Sequence, residues 1–262
     1  MDPPKASANG TPSTGHCVAG LTSLQKGMKD SLEGARFRWI NEQLYKSDSV
    51  EAVKLMQDSP ENFHEYHKGF RHQVYSWPSN PVTHYVEELS ALPKGTIIAD
   101  LGCGDAALVR ELAGKQTVIS FDLVSDGMYV VEADICSKIP LPGSEPQGSE
   151  KSDGVGQVVD VVVCALSLMS TNWPNCVREA WRILKPGGTL KIAEVASRFE
   201  DVEQFTSLVN SHGFKLKSKD DRNSHFTLLE FKKVPRATKS AKEWTGLMSR
   251  GHVLKPCEYK RR

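Results

Sequence analysis

Two glycines, Gly102 and Gly104, follow an apolar stretch and form a candidate ligand-binding turn. Residues 97–101 contain four apolar residues without polar alternation, which predicts a parallel strand buried on both faces. Glycine has no Cβ, so the backbone there bends sharply and can approach a ligand closely. A helical pattern follows from Ala106 to Ala113. Strand, turn and helix together predict a site for a nucleotide-like cofactor.

Two aspartates follow the next predicted strands at positions suited to a nucleoside. Asp122 ends the strand 117–122, 20 residues after Gly102, where an α/β nucleotide fold places the carboxylate that accepts hydrogen bonds from ribose hydroxyls. The alternative for Asp122 is a simple turn at the end of a strand. Asp134 can accept a hydrogen bond from the exocyclic amine of an adenine, with Ile135 packed on the ring.

The residues around the glycine turn favour S-adenosylmethionine over a dinucleotide. A dinucleotide site needs a third glycine beside the pyrophosphate, but Asp105 follows Gly104 and no glycine occupies the third position of the motif. A carboxylate repels a pyrophosphate. Asp100 and Asp105 would instead attract the sulfonium and amino group of S-adenosylmethionine.

The elements that position these residues alternate between strand and helix and end in an antiparallel hairpin. This order predicts one α/β domain over residues 94–234, with a flexible Gly/Ser-rich insertion at 142–157. Helical spacing of apolar residues over 31–93 predicts an N-terminal helical cap. Residues 1–30 are rich in Pro, Ser, Thr and Gly and are expected to be disordered.

Charge is divided unevenly along the chain. Residues 232–262 contain ten Lys or Arg and two acidic residues, whereas residues 31–231 contain 20 basic and 28 acidic residues. A basic C-terminal tail over 235–262 therefore predicts contact with a polyanion or a localisation receptor. The alternative is a solvated tail without a partner.

The sequence predicts neither a metal site nor a membrane span. The six cysteines are scattered without a Cys-x-x-Cys motif, which favours a reducing compartment. His64 and His67 share a helix face, but no carboxylate on that helix completes a ligand set. No uncharged apolar run approaches the ~20 residues of a membrane helix, and residues 1–20 have no apolar core of a secretory signal.

Several motifs resemble those of the seven-stranded, class I S-adenosylmethionine-dependent methyltransferases. They are residues 98–104, Asp122, Asp134 and the Leu-Lys-Pro-Gly-Gly turn at 184–188. A closer resemblance, to the ribosomal RNA-processing protein 8 (nucleomethylin) family, covers about residues 34–233 and the last few residues. The segments that carry it are 36–45, 66–70, 165–169, 194–201, 223–226 and 259–262.

This resemblance implies a fold, an activity and a set of contacts. The implied fold is a Rossmann-like seven-stranded sheet with helices on both faces. The implied activity is that of a nuclear, nucleolar enzyme that methylates N1 of an adenine in large-subunit ribosomal RNA, with that RNA or pre-ribosomal particles as partner. The implied cofactor contacts, together with Gly104 from the glycine turn, are His67, Gly102, Asp122, Asp134, Ile135 and Cys164.

Methylation of N1 needs positioning more than proton transfer. Adenine N1 has a lone pair and no proton, so catalysis requires N1 and the methyl carbon to be held in line at ~3–3.5 Å. The candidates for holding the base are polar residues after the fourth strand and one arginine: Ser167, Ser170, Thr171, Asn172 and Arg198. The alternatives are turn chemistry for residues 170–172 and a surface ion pair for Arg198.

Two other functions stay open on the sequence alone. One is a regulatory module that binds the cofactor and RNA without transferring a methyl group. The other is a methyltransferase that acts on proteins or small molecules.

Overall fold

A mixed seven-stranded sheet forms the centre of the molecule in a computed structural model that describes residues 22–143 and 156–259. The order across the sheet is β3-β2-β1-β4-β5-β7-β6, and only β7 runs antiparallel to its neighbours. This arrangement confirms the predicted class I methyltransferase fold. The strands are β1 (Ile97–Leu101), β2 (Thr117–Asp122), β3 (Val130–Glu132), β4 (Val159–Ala165), β5 (Leu184–Val195), β6 (Phe214–Asp220) and β7 (Phe226–Lys233).

Helices cover both faces of the sheet. Because successive strand residues point to opposite faces, Val162 packs in a core with α6 and α7, whereas Val161 and Val163 pack against α4 and α5. The unbroken apolar strands are therefore explained by burial on two sides. The helices are α1 (Ser23–Lys46), α2 (Ser49–Asp58), α3 (Glu61–Tyr75), α4 (Pro81–Ser90), α5 (Ala107–Glu111), α6 (Pro174–Ile183), α7 (Val202–Ser211) and α8 (Ala241–Met248).

The helical cap consists of α1, α2 and α3. They share a core in which Phe37, Ile40 and Leu44 of α1 pack with Met56 and Tyr66. The predicted cap over 31–93 is too long, because α4 lies on the sheet: its Tyr85 and Leu89 pack with β1 and β4.

The N-terminal boundary also differs from the prediction. Thr22 caps α1, since its side chain accepts a hydrogen bond from the Gln25 backbone and the Gln25 side chain accepts one from the Thr22 backbone. Residues 23–30, expected to be disordered, are therefore helical. Residues 1–21 and most of the predicted insertion, residues 144–155, lie outside the described residues.

The segment predicted as a basic tail is folded onto the domain. After α8, Val253 and Leu254 enter the core of the sheet domain, and Cys257 is buried. The Trp173 indole nitrogen donates to the Gly251 carbonyl at 2.8 Å. The alternative of a solvated tail is therefore wrong for these residues. A count of charges gives no information about the apolar residues between the cations, and these are the residues that are buried. Residues 260–262 are outside the described part of the chain.

A matched pair of glycine substitutions tests how tightly this segment is packed. A Cβ at Gly251 would lie 1.7 Å from the Thr171 carbonyl oxygen, whereas a Cβ at Gly246 in α8 meets nothing within 4 Å. We expect Gly251→Ala to lower the free energy of unfolding by about 1–3 kcal/mol and Gly246→Ala to raise it by about 0.5–1 kcal/mol. Chemical denaturation measures both, and equal stability of the two variants would contradict the packing described.

Candidate functional site

A cavity of about 540 Å³ opens at the carboxyl edge of the sheet. Its floor is formed by the segments that follow β1, β2, β3 and β4, and its roof by residues of α2 and α3, among them Phe63, Tyr66 and Phe70. Open α/β sheets bind their ligands at this edge. The cap therefore encloses the place where a cofactor is expected.

The glycine turn is held closely between two other elements. Gly102 and Gly104 have φ angles of 76° and 55°, which favour glycine. A Cβ on Gly102 would lie 2.4 Å from the Cβ of Ser167, and one on Gly104 would lie 3.0 Å from Cε1 of His67. Both glycines are thus required by backbone conformation and by close approach. They bring the turn, the loop after β4 and helix α3 together.

Asp122 supports the turn from the end of β2. Its two oxygens accept hydrogen bonds from the backbone amides of Gly104 and Leu123, each at 2.7 Å. Each oxygen keeps a lone pair for a hydroxyl of a ligand. Burial raises the pKa of Asp122 and lowers the pKa of His67, so the imidazole beside the turn is neutral at physiological pH. The predicted ribose contact of Asp122 fits this position.

Asp134 lies at the centre of a hydrogen-bond network that ties the cap to the floor. Its Oδ2 accepts from the hydroxyls of Ser49 and Ser137 at 2.7 and 2.9 Å, and its Oδ1 accepts from the Cys136 amide at 2.8 Å. Asn172 completes the network: its Oδ1 accepts from the Ser49 amide and its Nδ2 donates to the Ser49 hydroxyl. The structure does not bring Asn172, a predicted base holder, into the cavity lining, because its amide is bound to Ser49 of α2.

Arg198 is buried, at 1% exposure, and does not reach the cavity. Its NH1 donates to Glu194 Oε2 at 2.6 Å, its Nε donates to the Lys255 carbonyl at 2.8 Å, and its guanidinium lies 4.7 Å from the centre of the Tyr45 ring. Glu194 Oε1 accepts from the Leu168 amide at 2.9 Å. The interpretation of Arg198 as a surface ion pair is therefore wrong, and the structure does not bring this predicted base holder to the cavity. It fastens the loop after β4 to α1 and the C-terminal segment.

The loop after β4 provides the remaining floor of the cavity. Leu166 has a φ of 61°, a left-handed conformation that is costly for a bulky residue, and its amide donates to the Ala193 carbonyl at 2.8 Å. Ser167 and Ser170 line the cavity, but Thr171 does not, since its backbone amide donates to the Ser47 carbonyl instead. Two of the predicted base-holding residues thus lie where a base could enter.

Cys164 is placed beneath the cavity rather than in its lining. Its side chain is fully buried, with Sγ 3.9 Å from Sγ of Cys176. Ala165 and the residues after it form the lining instead. The structure does not bring the Cys164 side chain to the cofactor position. The other predicted contacts, His67, Gly102, Gly104, Asp122, Asp134 and Ile135, lie together in the cavity wall, and their contact with the cofactor stays a prediction.

The lining fits S-adenosylmethionine at Asp122, whose oxygens keep lone pairs for ribose hydroxyls, and two further polar groups near the turn have no partner among the described residues. Ser167 Oγ is buried against the glycine turn and has no hydrogen-bond partner among the described residues. Asp100 is buried in β1 behind the turn, outside the residues that line the cavity, and its carboxyl has no hydrogen-bond partner in the part of the chain that the structure describes. Burial and the nearby Asp122 carboxylate raise the pKa of Asp100 to about 7. A cationic ligand beside the turn would stabilise its ionised form.

Sequence reasoning missed the apolar roof and one ion pair. Phe63, Tyr66 and Phe70 fall at helical spacing, which predicts a core face and does not distinguish a cavity roof from a filled core. Asp105, expected to attract the cofactor, forms an ion pair with Arg71 at the rim. The Arg71 cation thus partly compensates the charge that was expected to attract the cofactor, and no spacing in the sequence indicates this partner.

Residues 22–143 and 156–259 contain neither a metal-binding cluster nor a membrane-spanning helix. No group of three or more His, Cys, Asp or Glu residues able to hold a metal ion occurs there. No helix in these ranges is both long and apolar enough to cross a membrane.

Known proteins resemble this chain in both sequence and fold. A family model described as a hypothetical methyltransferase matches residues 23–262. Ribosomal RNA-processing protein 8 of Dictyostelium discoideum is 41% identical over 249 residues, which cover 92% of this chain and 60% of that protein. A Schizosaccharomyces pombe protein named 25S rRNA (adenine(645)-N(1))-methyltransferase is 42% identical over 254 residues, covering 92% of this chain and 73% of the relative.

A solved structure shows the same fold. It is a TehB-like SAM-dependent methyltransferase from Corynebacterium glutamicum, with a TM-score of 0.51 and 16% identity over 67% of this chain and all of that one. Strand order and this likeness show the fold of the S-adenosylmethionine-dependent methyltransferases, and the matching family model is that of a methyltransferase. Within that class, this chain belongs to the ribosomal RNA-processing protein 8 family. It spans 60% of the length of the Dictyostelium relative.

Replacing Asp122 tests the ribose contact. We expect Asp122→Ala to weaken S-adenosylmethionine binding at least tenfold, because a buried acceptor for a hydroxyl pair is lost together with the support of Gly104 (about 1.5–3 kcal/mol). Titration calorimetry measures the dissociation constant. The matched control is Glu132→Ala, an exposed acid that pairs in register with Asp122 across β2 and β3. Equal affinity of the two variants would remove Asp122 from the cofactor site.

The raised pKa of Asp100 predicts that cofactor binding depends on pH. A pKa of about 7 means that the carboxyl is mostly neutral at pH 6 and mostly ionised at pH 8. Because a cation prefers the ionised form, affinity for S-adenosylmethionine should rise roughly tenfold across this interval. Asp100→Asn should flatten the dependence. An equally steep rise in that variant would assign the titration to another group.

Proposed function

We propose that this chain transfers a methyl group from S-adenosylmethionine to N1 of an adenine in large-subunit ribosomal RNA. One observation carries the proposal: the 42% identity, over 92% of the chain, to the Schizosaccharomyces pombe protein named as an adenine-N1 methyltransferase of 25S rRNA. The segments that form the cavity all lie within the matched family model.

Methyl transfer to adenine N1 requires the protein to position the two substrates and does not require a general base. Adenine N1 offers a lone pair and carries no proton, so no group needs to remove one. When bound, S-adenosylmethionine supplies an electrophilic methyl group on its sulfonium. We assign the hydroxyls of Ser167 and Ser170 to holding the edge of the base, since both residues line the cavity and Ser167 Oγ has no partner among the described residues.

The charge of the product suits this wall of the cavity. N1-methyladenine is cationic, so a charged imidazole beside it would be repulsive. Burial lowers the pKa of His67 and keeps the ring neutral. The Asp122 carboxylate in the same lining favours a positive charge.

The target adenine must be unpaired. N1 lies on the edge that pairs in a duplex, so the base has to leave its stack before it enters the cavity. The apolar roof contributed by Phe63 and Phe70 offers surface for a base that has lost its neighbours.

We also propose that the chain acts in the nucleus and nucleolus on pre-ribosomal particles. The support is the naming of its relatives as ribosomal RNA-processing proteins, since large-subunit ribosomal RNA is processed in such particles. This proposal concerns the place of action and follows from the substrate.

Methyl transfer to ribosomal RNA tests the function directly. The full chain is incubated with labelled cofactor and extracted ribosomal RNA, and the RNA is digested to nucleosides for mass spectrometry. We expect label in N1-methyladenosine. Ser167→Ala should lower kcat roughly tenfold through a lost hydrogen bond, whereas the control Ser90→Ala, on α4 outside the cavity, should not.

The other functions give different results in the same experiment. Label in protein or in small molecules would replace the proposal with another methyltransferase activity. Binding of cofactor and RNA without any transfer would indicate a regulatory module.

A further inference from the structure

The cavity continues beyond the residues assigned to the cofactor and ends at an aromatic mouth. This mouth is formed by residues 74–80, between the last turn of α3 and the first turn of α4, and includes Tyr75 and Trp77. Trp77 packs against Phe226, the first residue of β7. The mouth therefore lies toward the β4-β5-β7 half of the sheet, away from Asp122 and the nucleoside side.

Tyr75 is 93% exposed at this mouth. Its side chain takes part in no hydrogen bond, ion pair or ring contact within the described residues. By contrast Tyr129, an exposed tyrosine before β3, lies under the guanidinium of Arg110 at 5.2 Å. Because no such contact within the described residues occupies the Tyr75 ring, the ring is available to a ligand that enters the cavity.

The backbone that carries Tyr75 is well supported. The Trp77 ring stacks on Phe226 with centroids 6.2 Å apart and lies 5.5 Å from the ring of His225. Ser79 Oγ accepts a hydrogen bond from Asn223 Nδ2 at 2.8 Å. Contacts from the β6–β7 hairpin hold the segment in place, so an aromatic surface is prepared before any ligand binds.

We propose that Tyr75 is a stacking platform for an unpaired nucleotide next to the target base in the RNA substrate. The inference rests on the proposed function, because a base inserted into the cavity leaves its covalently linked neighbour at the mouth. Every base has a π face, so an exposed aromatic ring binds such a neighbour with little sequence preference. Tyr75 is uncharged, and the affinity that it adds differs from phosphate attraction in being nearly independent of salt.

The experiment compares three variants by RNA binding and by steady-state kinetics. Tyr75→Ala should raise the dissociation constant and the KM for RNA roughly fivefold or more, by the same factor at low and high salt. Its kcat at saturating RNA and its affinity for S-adenosylmethionine should not change. Tyr75→Phe should behave as the unchanged protein, since stacking does not need the hydroxyl. Tyr129→Ala is the control for loss of an exposed tyrosine outside the cavity.

Failure of the platform and failure of the proposed function are distinguishable. If the unchanged protein methylates RNA and Tyr75→Ala has the same KM, the platform is refuted, and the exposed ring serves another contact such as a protein partner. If the unchanged protein binds RNA without methylating it, the proposed function fails, while the dissociation constants still decide on Tyr75. A loss in Tyr75→Ala that disappears at high salt would also refute stacking.

Discussion

The buried pair of Glu194 and Arg198 joins four parts of the molecule that are distant in the chain. Neither side chain is exposed by more than 1%, and an isolated charge in such a place would cost several kcal/mol. The two charges compensate each other, and their remaining hydrogen-bonding groups reach the Leu168 amide and the Lys255 carbonyl. The pair therefore fixes the loop after β4 with respect to β5, to α1 and to the C-terminal segment.

That support explains how the loop tolerates strain. Leu166 adopts a left-handed conformation immediately before Ser167, which approaches Gly102 closely. Such a conformation persists only where the surroundings determine it strongly. Leu168 lies two residues after Leu166, and the hydrogen bond from its amide to Glu194 helps to hold the loop in this conformation. A buried charge pair thus acts at a distance on the shape of the cavity floor, without touching the cavity.

The cap and the sheet contribute different chemistry to the site. The sheet edge provides carboxylates and backbone turns, as Asp122 and the glycines show, whereas α2 and α3 provide mostly aromatic and apolar surface. Ser49 is an exception, since it carries the hydrogen bonds that connect Asp134 to Asn172. The cavity is complete only when both units are assembled.

The sequence predicted what depends on short-range pattern. The predicted strand 117–122 coincides with β2, because an apolar run that ends in an acid is a strong local signal, and the distance from Gly102 points to Asp122. The roles of Asn172 and Arg198 were not predictable, because they depend on partners 123 and 57 residues away. The C-terminal segment was misinterpreted since net charge says nothing about which apolar residues between the cations are buried. The close contact of Gly251 with Thr171 has a consequence for biosynthesis: in a chain emerging from the ribosome, the loop after β4 lacks this packing until residues 249–257 have been made.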